Sequence, residues 1–289
     1  MIINCLEIRD EWLKSLSLEE IAKSEKESIF IQVGDREDSN SYIKGKKSTC
    51  DKYKIKHRHI KLYENFSEKE LIDLIEHCNN MKNVLGIMVQ LPLPDHIDEE
   101  KIINAIDPLK DIDGFTHANK GKLLVGDDTA ILPCTPYGIL KILEYIDFDC
   151  KGKNIVVAGR SNIVGKPMTQ LLINKGATVT CCNSSTDKER FKELVFGSDL
   201  FISAIDKPCF YNTEFFGSEN IEKLSNVIAI DVGISRVEGK LEGNISKELY
   251  DAFKAITPVP KGVGPMTVAG VLANIKKCYD LSEGNKWIL

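Results

Sequence analysis

The stretch Asn154 to Thr186, NIVVAGRSNIVGKPMTQLLINKGATVTCCNSST, constrains the fold more than any other part of the chain. Asn154 to Ala158 is a β-branched run that predicts a strand, and Gly159 to Gly165 is a small-residue turn. Pro167 to Lys175 is helix-forming and stops at Gly176, and Thr178 to Cys182 is a second strand. Strand, tight loop and helix in that order set the loop's N–H groups beside the positive end of the helix, as a pyrophosphate requires. The unit reads as half of a dinucleotide site.

The glycines depart from the usual G-x-G-x-x-G pattern. GRSNIVG has Ser161 in the second glycine position and Val164 in the third, with Gly165 one place late. The end of the second strand says more. An NAD site wants an Asp or Glu there for the ribose hydroxyls, whereas this chain offers Cys182-Asn183-Ser184-Ser185. Arg160 with Ser184 or Ser185 suits a 2′-phosphate instead, so the expected cofactor is NADP.

The remaining chain is long enough, at 289 residues, for two domains with real cores. A net charge of −5 without a dense basic run argues against nucleic acid as a partner. KIKHRHIK at 54–61 is locally basic but alternates with Ile, as a strand does. The N-terminal MIINCLEIRDEW lacks a signal-peptide apolar block, and no stretch approaches a membrane span, so the expected location is cytoplasmic and no membrane partner is expected. Nine cysteines at scattered spacings, with no CxxC and no Cys/His pattern, are expected to be reduced thiols, and no metal site is expected.

Before the dinucleotide half, strands and helices alternate, which implies a parallel sheet. Glu7 to Lys23 is expected to be helical, with Leu13, Leu16 and Ile21 in the core. Ser28 to Val33, Lys56 to Tyr63 and Val84 to Gln90 are expected strands. Ser39 is an expected N-cap for a helix that brings Tyr42 and Lys46 to i,i+4 spacing. Ser67-Glu68-Lys69-Glu70 is a capping box opening a helix to about Cys78, and Asp98 to Ile106 is another helix. Gln90 ends its strand at the carboxyl edge, where open α/β sheets bind ligands, followed by Leu91-Pro92-Leu93-Pro94. Lys110-Asp111-Ile112-Asp113-Gly114-Phe115 is a loop with two acids. Thr135 with Pro136 opens an amphipathic helix that closes the first domain. Beyond the dinucleotide half, strands are expected at Asp199 to Ala204 and Val227 to Ile234, and a terminal helix from Thr267 to about Tyr279.

Five separated blocks together resemble the bifunctional methylenetetrahydrofolate dehydrogenase/methenyltetrahydrofolate cyclohydrolase family. They are Ser39-x-x-Tyr42-x-x-x-Lys46, VQLPLP at Val89–Pro94, KDIDGF at Lys110–Phe115 with PCTP at Pro133–Pro136, GRSNIVGKP at Gly159–Pro167, and TPVPKGVGPMT at Thr257–Thr267. The resemblance covers almost the whole chain. It implies two α/β domains flanking a cleft: a folate-binding catalytic domain of residues 1–136 and 266–289, and a Rossmann-type NADP domain of residues 137–265. It also implies a terminal helix that packs back on the first domain, and a homodimer formed through the nucleotide domain.

By motif position, the resemblance makes Tyr42, Lys46, Gln90 and Asp113 folate-site and catalytic residues, with Leu91 and Pro92 beside Gln90. Pro260 takes the contact with the folate's aromatic portion, and Lys261 is placed to reach its glutamate tail. Gly159, Ser161, Val164 and Gly165 form the phosphate loop. Arg160 and Ser184, with Ser185 next to it, hold the 2′-phosphate. Cys134, Gly233, Ile234 and Thr267 fall near the nicotinamide pocket. Three positions depart from the family pattern: Asp206 and Lys261 stand where Gly is usual, and Asn183 where His is usual.

Overall fold

The computed structural model describes residues 1–284. The last five residues of the expected 266–289 segment lie outside the described residues.

The chain runs α1 (Cys5–Ser15), α2 (Glu19–Lys23), β1 (Glu27–Val33), α3 (Glu37–Lys52), β2 (His57–Leu62), α4 (Glu68–Asn80), β3 (Val84–Val89), α5 (Glu99–Ala105), α6 (His117–Val125) and α7 (Cys134–Tyr145). It continues with β4 (Asn154–Ala158), α8 (Gly165–Asn174), β5 (Thr178–Cys182), α9 (Lys188–Phe196), β6 (Leu200–Ser203), α10 (Thr213–Phe216), β7 (Ile228–Asp231), β8 (Ser235–Val237), β9 (Lys240–Glu242), β10 (Ala255–Ile256) and α11 (Val263–Ser282). Among the described residues, no helix is long and apolar enough to cross a membrane. All nine cysteines are unpaired.

The chain divides into two compact units. One holds Leu13–Cys134 with the segment from Val268 onward, and the other holds Met1–Trp12 with Thr135–Thr267. The expected boundaries were 136/137 and 265/266, with the N-terminus in the first domain; in this division the first twelve residues group with the nucleotide half. The cause is non-local: Ile2 bridges to Ile256, and Ile3 donates its N–H to the Ile256 carbonyl at 2.9 Å. Trp12 also packs edge-on against Tyr137, with ring centroids 4.9 Å apart.

The first unit is built on a parallel sheet of order β2-β1-β3. Its central strand is buried on both faces from Ser28 to Val33, as the apolar run there demands. Ile29, Ile31, Leu71, Ile75, Ile87 and Ile102 form the core between this sheet and α4 and α5. Each such side chain contributes about 1.5–3 kcal/mol by leaving water. The capping box at α4 is present in full: Ser67 Oγ accepts from Glu70 N–H, and Glu70 accepts from Ser67 N–H at 3.1 Å. Ser39 is not a cap. The first turn of α3 opens with Glu37-Asp38, Arg36 precedes it in extended backbone, and Ser39 is buried within that turn. Acids in a first turn complement the helix dipole, and the cap falls three residues early, at Arg36. The expected helix from Glu7 to Lys23 is interrupted at 16–18, where Ser17 has φ 50°.

The second unit carries a parallel sheet of order β10-β7-β6-β4-β5. From β4 the chain crosses to β5 on one side and then to β6 on the other. This reversal opens a crevice at the carboxyl ends of β4 and β6, the place where such sheets bind ligands. Phe191, Phe201, Tyr211 and Phe216 fill the core on one face of that sheet, with Phe215 packed against them. The expected strand from Val227 to Ile234 stops at Asp231, and the chain turns into the β8–β9 hairpin.

Candidate active site

In the first unit, α3, the end of β3 and the loop after α5 bring three of the expected residues together. Lys46 is only 6% exposed, and its Nζ donates to Gln90 Oε1 at 3.2 Å and to Met88 Sδ at 2.9 Å. The Gln90 backbone N–H is spent on Ile31 O, and its Nε2 on Leu91 O, so the amide has one orientation and its oxygen faces the ammonium. Tyr42 lies one turn before Lys46 and is half-buried, and burial together with the Asp38 charge pushes its phenol up. Leu91 is half-buried, Pro92 is exposed, and the bond between them is cis.

The two acids of the loop play separate parts. Asp111 is buried and accepts from Gly114 N–H (2.9 Å), Thr116 N–H (2.8 Å) and Asn119 Nδ2 (3.1 Å). It builds the turn into α6, a helix that sequence reading missed. Asp113 has no such backbone partners among the described residues and keeps an opening to solvent. Burial raises its carboxyl above the usual range; Lys46 pulls the other way, and Asp111 adds to the rise. The unit therefore holds an ammonium and a carboxyl within each other's field beside the Gln90 amide, which is the equipment for binding a polar heterocycle and moving a proton.

In the second unit, the Gly159–Gly165 loop closes at the crevice between β4 and β6. Gly159 has φ +120°, and a Cβ there would sit 2.1 Å from Ala204 O. A Cβ on Gly165 would sit 2.2 Å from Gly159 O. The late glycine thus performs the close helix–strand packing that the ordinary third glycine performs. Ser161 Oγ accepts from Val164 N–H (3.2 Å) and Gly165 N–H (3.3 Å), replacing a glycine turn with a side-chain cap. Arg160 is exposed, as are Ser184 and Ser185 after the end of β5; Asn183 holds that turn by accepting from Ser185 N–H at 3.0 Å. This cradle, too tight for a Cβ at Gly159 or Gly165 and rimmed by an exposed guanidinium and two hydroxyls, fits a dinucleotide with a phosphate on its ribose.

Other expected residues scatter within that unit. Ile234 is exposed and Gly233 half-buried beyond β7. Thr267 Oγ1 donates to Val263 O (3.3 Å) and meets Thr135 Oγ1 at 2.9 Å. Pro260 follows a cis bond, and Lys261 is exposed with φ 76°. Cys134 belongs to the first unit, where its buried thiol lies against Ile112 O and Asp113. Sequence reading missed the polar network beneath Gly233. Asp231 accepts from Gly233 N–H (3.1 Å), Asn244 N–H (3.0 Å) and Ile245 N–H (2.9 Å), and burial nevertheless pushes its carboxyl up to about 6. Asn244 in turn accepts from Ser203 Oγ (2.9 Å) and Ile205 N–H (3.2 Å). The only local signal was an acid ending an apolar strand.

Comparison with known proteins agrees with both halves. Residues 3–113 match the profile of the tetrahydrofolate dehydrogenase/cyclohydrolase catalytic domain, and residues 133–283 match that of its NAD(P)-binding domain. A relative from Oceanobacillus iheyensis, named bifunctional protein FolD, is 42% identical over 98% of each chain. The crystal structure of the bifunctional FolD dehydrogenase/cyclohydrolase from Campylobacter jejuni superposes with a TM-score of 0.88 at 36% identity, covering 97% of this chain and 99% of that one. The Trypanosoma brucei methylenetetrahydrofolate dehydrogenase-cyclohydrolase, solved with NADP and an inhibitor, gives a TM-score of 0.85 at 30% identity over 98% of each chain.

Proposed function

The chain belongs to the tetrahydrofolate dehydrogenase/cyclohydrolase family, and from that premise we propose that it oxidises 5,10-methylenetetrahydrofolate to the methenyl cation with NADP and then hydrolyses that cation to 10-formyltetrahydrofolate. The observation that carries the reading is the buried Lys46 ammonium, bonded to Gln90 and lying in the field of Asp113. NADP, when bound, supplies the hydride acceptor, held by Arg160, Ser161, Gly165 and Ser184. The chain's own residues do the rest. Asp113 anchors the amino-pyrimidine edge of the pterin by charge-assisted hydrogen bonds, Tyr42 packs on the folate rings, and Gln90 holds Lys46 in place. Lys46 accepts or relays the proton that water loses on opening the cation. The same reading makes the protein a cytoplasmic homodimer associated through its nucleotide unit.

Coupled assays separate this function from its rivals. NADPH formation reports the first step, and loss of methenyl absorbance reports the second. A dehydrogenase that has lost hydrolysis gives only the first signal. A nucleotide-binding regulatory module gives neither.

Cofactor choice gives two further expected results. The exposed Arg160 guanidinium is the only cation on the phosphate loop itself, and no acid ends β5. Arg160→Ala removes a charge-assisted contact of about 1.5–3 kcal/mol, so NADP affinity should fall roughly ten- to a hundred-fold with NAD affinity nearly unchanged. Equal losses for both cofactors in a binding titration would remove Arg160 from the 2′-phosphate. Asp206 is exposed beyond the end of β6, close in sequence to Ala204, whose carbonyl abuts Gly159. A carboxylate there repels a polyanionic cofactor, so Asp206→Gly should lower the KM for NADP. A raised KM would show a favourable contact from Asp206.

A further inference from the structure

The terminal helix α11 contributes a side chain that no motif reaches. Asn274 is fully buried, and its Nδ2 lies 2.8 Å from Leu132 O, 2.9 Å from Ile112 O and 3.4 Å from Cys134 Sγ. Its Oδ1 is buried without a hydrogen-bond partner among the described residues. Turning the amide over would set that oxygen against two carbonyls, so the donors must face them. A leucine of similar volume would bury no orphan acceptor; what an asparagine adds is the pair of donors.

Those donors fix both walls of one loop. Ile112 immediately precedes Asp113. Leu132 backs Gly114, which has φ +71° and where a Cβ would sit 2.4 Å from the Leu132 carbonyl carbon. Between them lies Cys134, whose Sγ is 3.2 Å from Ile112 O and 3.8 Å from Asp113 Oδ1. Burial and the neighbouring Asp113 push this thiol well above its usual range, so it stays protonated, with one hydrogen shared between Ile112 O and the Asp113 carboxylate. The groups facing Asp113 are then Lys46 from α3, Asp111 from its own loop and Cys134 from the start of α7.

We propose that Asn274 and Cys134 are positioning residues for Asp113: the amide pins the carbonyls on either side of the loop, and the thiol orients the carboxylate. The inference rests on Asp113 binding the folate, and it gives the Cys134 side chain a role on the folate side, apart from the nicotinamide pocket that motif position alone implies.

The test measures KM for methylenetetrahydrofolate, KM for NADP and the pH profile of kcat/KM in Cys134→Ala, Cys134→Ser, Asn274→Leu and Asp113→Ala. Losing one weak donor should raise the folate KM about five-fold in Cys134→Ala, with the NADP KM unchanged. The acid limb should move to higher pH, because the thiol hydrogen bond favours the ionised carboxyl. Cys134→Ser should recover most of both. Asn274→Leu should raise the folate KM about ten-fold or more; if it fails to fold, the two Cys134 variants decide. A large loss in Asp113→Ala alongside wild-type folate KM and acid limb in Cys134→Ala would overturn the inference alone, as would a Cys134→Ala effect confined to the NADP KM. A wild-type folate KM in Asp113→Ala would overturn the reading of the site and this inference with it.

Discussion

Lys46→Met should slow the hydrolysis of methenyltetrahydrofolate by ~100-fold or more while leaving measurable dehydrogenase activity, the usual scale for loss of general acid–base work. The two steps ask different things of the site. Hydride departure from the methylene carbon is driven by the N5 lone pair and releases no proton, so it needs position and no base. Opening the cation requires water to attack carbon and lose a proton within hydrogen-bond reach of an acceptor. Among the residues matched to the reacting end of the folate, Tyr42, Lys46, Gln90 and Asp113, Lys46 is the one basic residue. Its amine is also held in place, since Gln90 Oε1 and Met88 Sδ take N–H donors on one side, and in the neutral amine that takes up the proton the lone pair is left for the reacting water. Methionine keeps much of the stem's bulk and removes only the amine. Stopped assays of both steps, corrected for spontaneous hydrolysis, provide the check. Wild-type hydrolysis by the variant would put the proton transfer elsewhere.

Met88 illustrates what sequence could and could not offer. Lys46, Gln90 and Asp113 were singled out because each stands in a block that matches the family's motif; local pattern alone reads the lysine as one of several coating a solvated helix and the acid as part of a solvated loop. Met88 was not, because nothing in a buried apolar strand says which residue will face a lysine from another element. The same limit separates Asp111 from Asp113. Two acids two positions apart look alike in a string, and only the closure of the loop onto Gly114, Thr116 and Asn119 spends one of them on structure.

The dinucleotide half was the most legible part of the fold, since its strand, turn, helix and strand are contiguous and each obeys local propensity. The elements misread were those decided elsewhere. Ser39 lost the cap to an acidic first turn, and α6 hides behind Gly121, with Thr116 capping it by accepting from Asn119 N–H. The contacts of the first twelve residues were equally hidden, because their partners, Ile256 and Tyr137, lie more than a hundred residues away. Asn274 and the Asp231–Asn244 network belong to the same class: both act through contacts whose partners are distant in the chain, which no spacing rule records.

The opposite dissociation is expected at Gly165. A methyl group there would lie 2.2 Å from Gly159 O, 2.5 Å from Gly159 C and 2.8 Å from Arg160 N, all backbone atoms. Gly159 has no room to retreat, because its own Cα already faces Ala204 O, where a Cβ would stand at 2.1 Å. Gly165→Ala must therefore lift the loop off the sheet or push α8 outward, with an overpacking cost of about 1–3 kcal/mol. Either movement breaks the Ser161 cap and displaces the Arg160 backbone by an amount that charge-assisted phosphate contacts do not tolerate. NADP affinity should fall ~100-fold or more, the loss of two such contacts. Hydrolysis of methenyltetrahydrofolate supplied directly should survive, since Lys46, Gln90 and Asp113 are held by contacts within the first unit. The measurement is an NADP titration and both assays on a variant shown to be folded by thermal melting. An NADP affinity within about threefold of wild type would mean that the late glycine is spacing and not packing, and that the loop tolerates a side chain its geometry forbids.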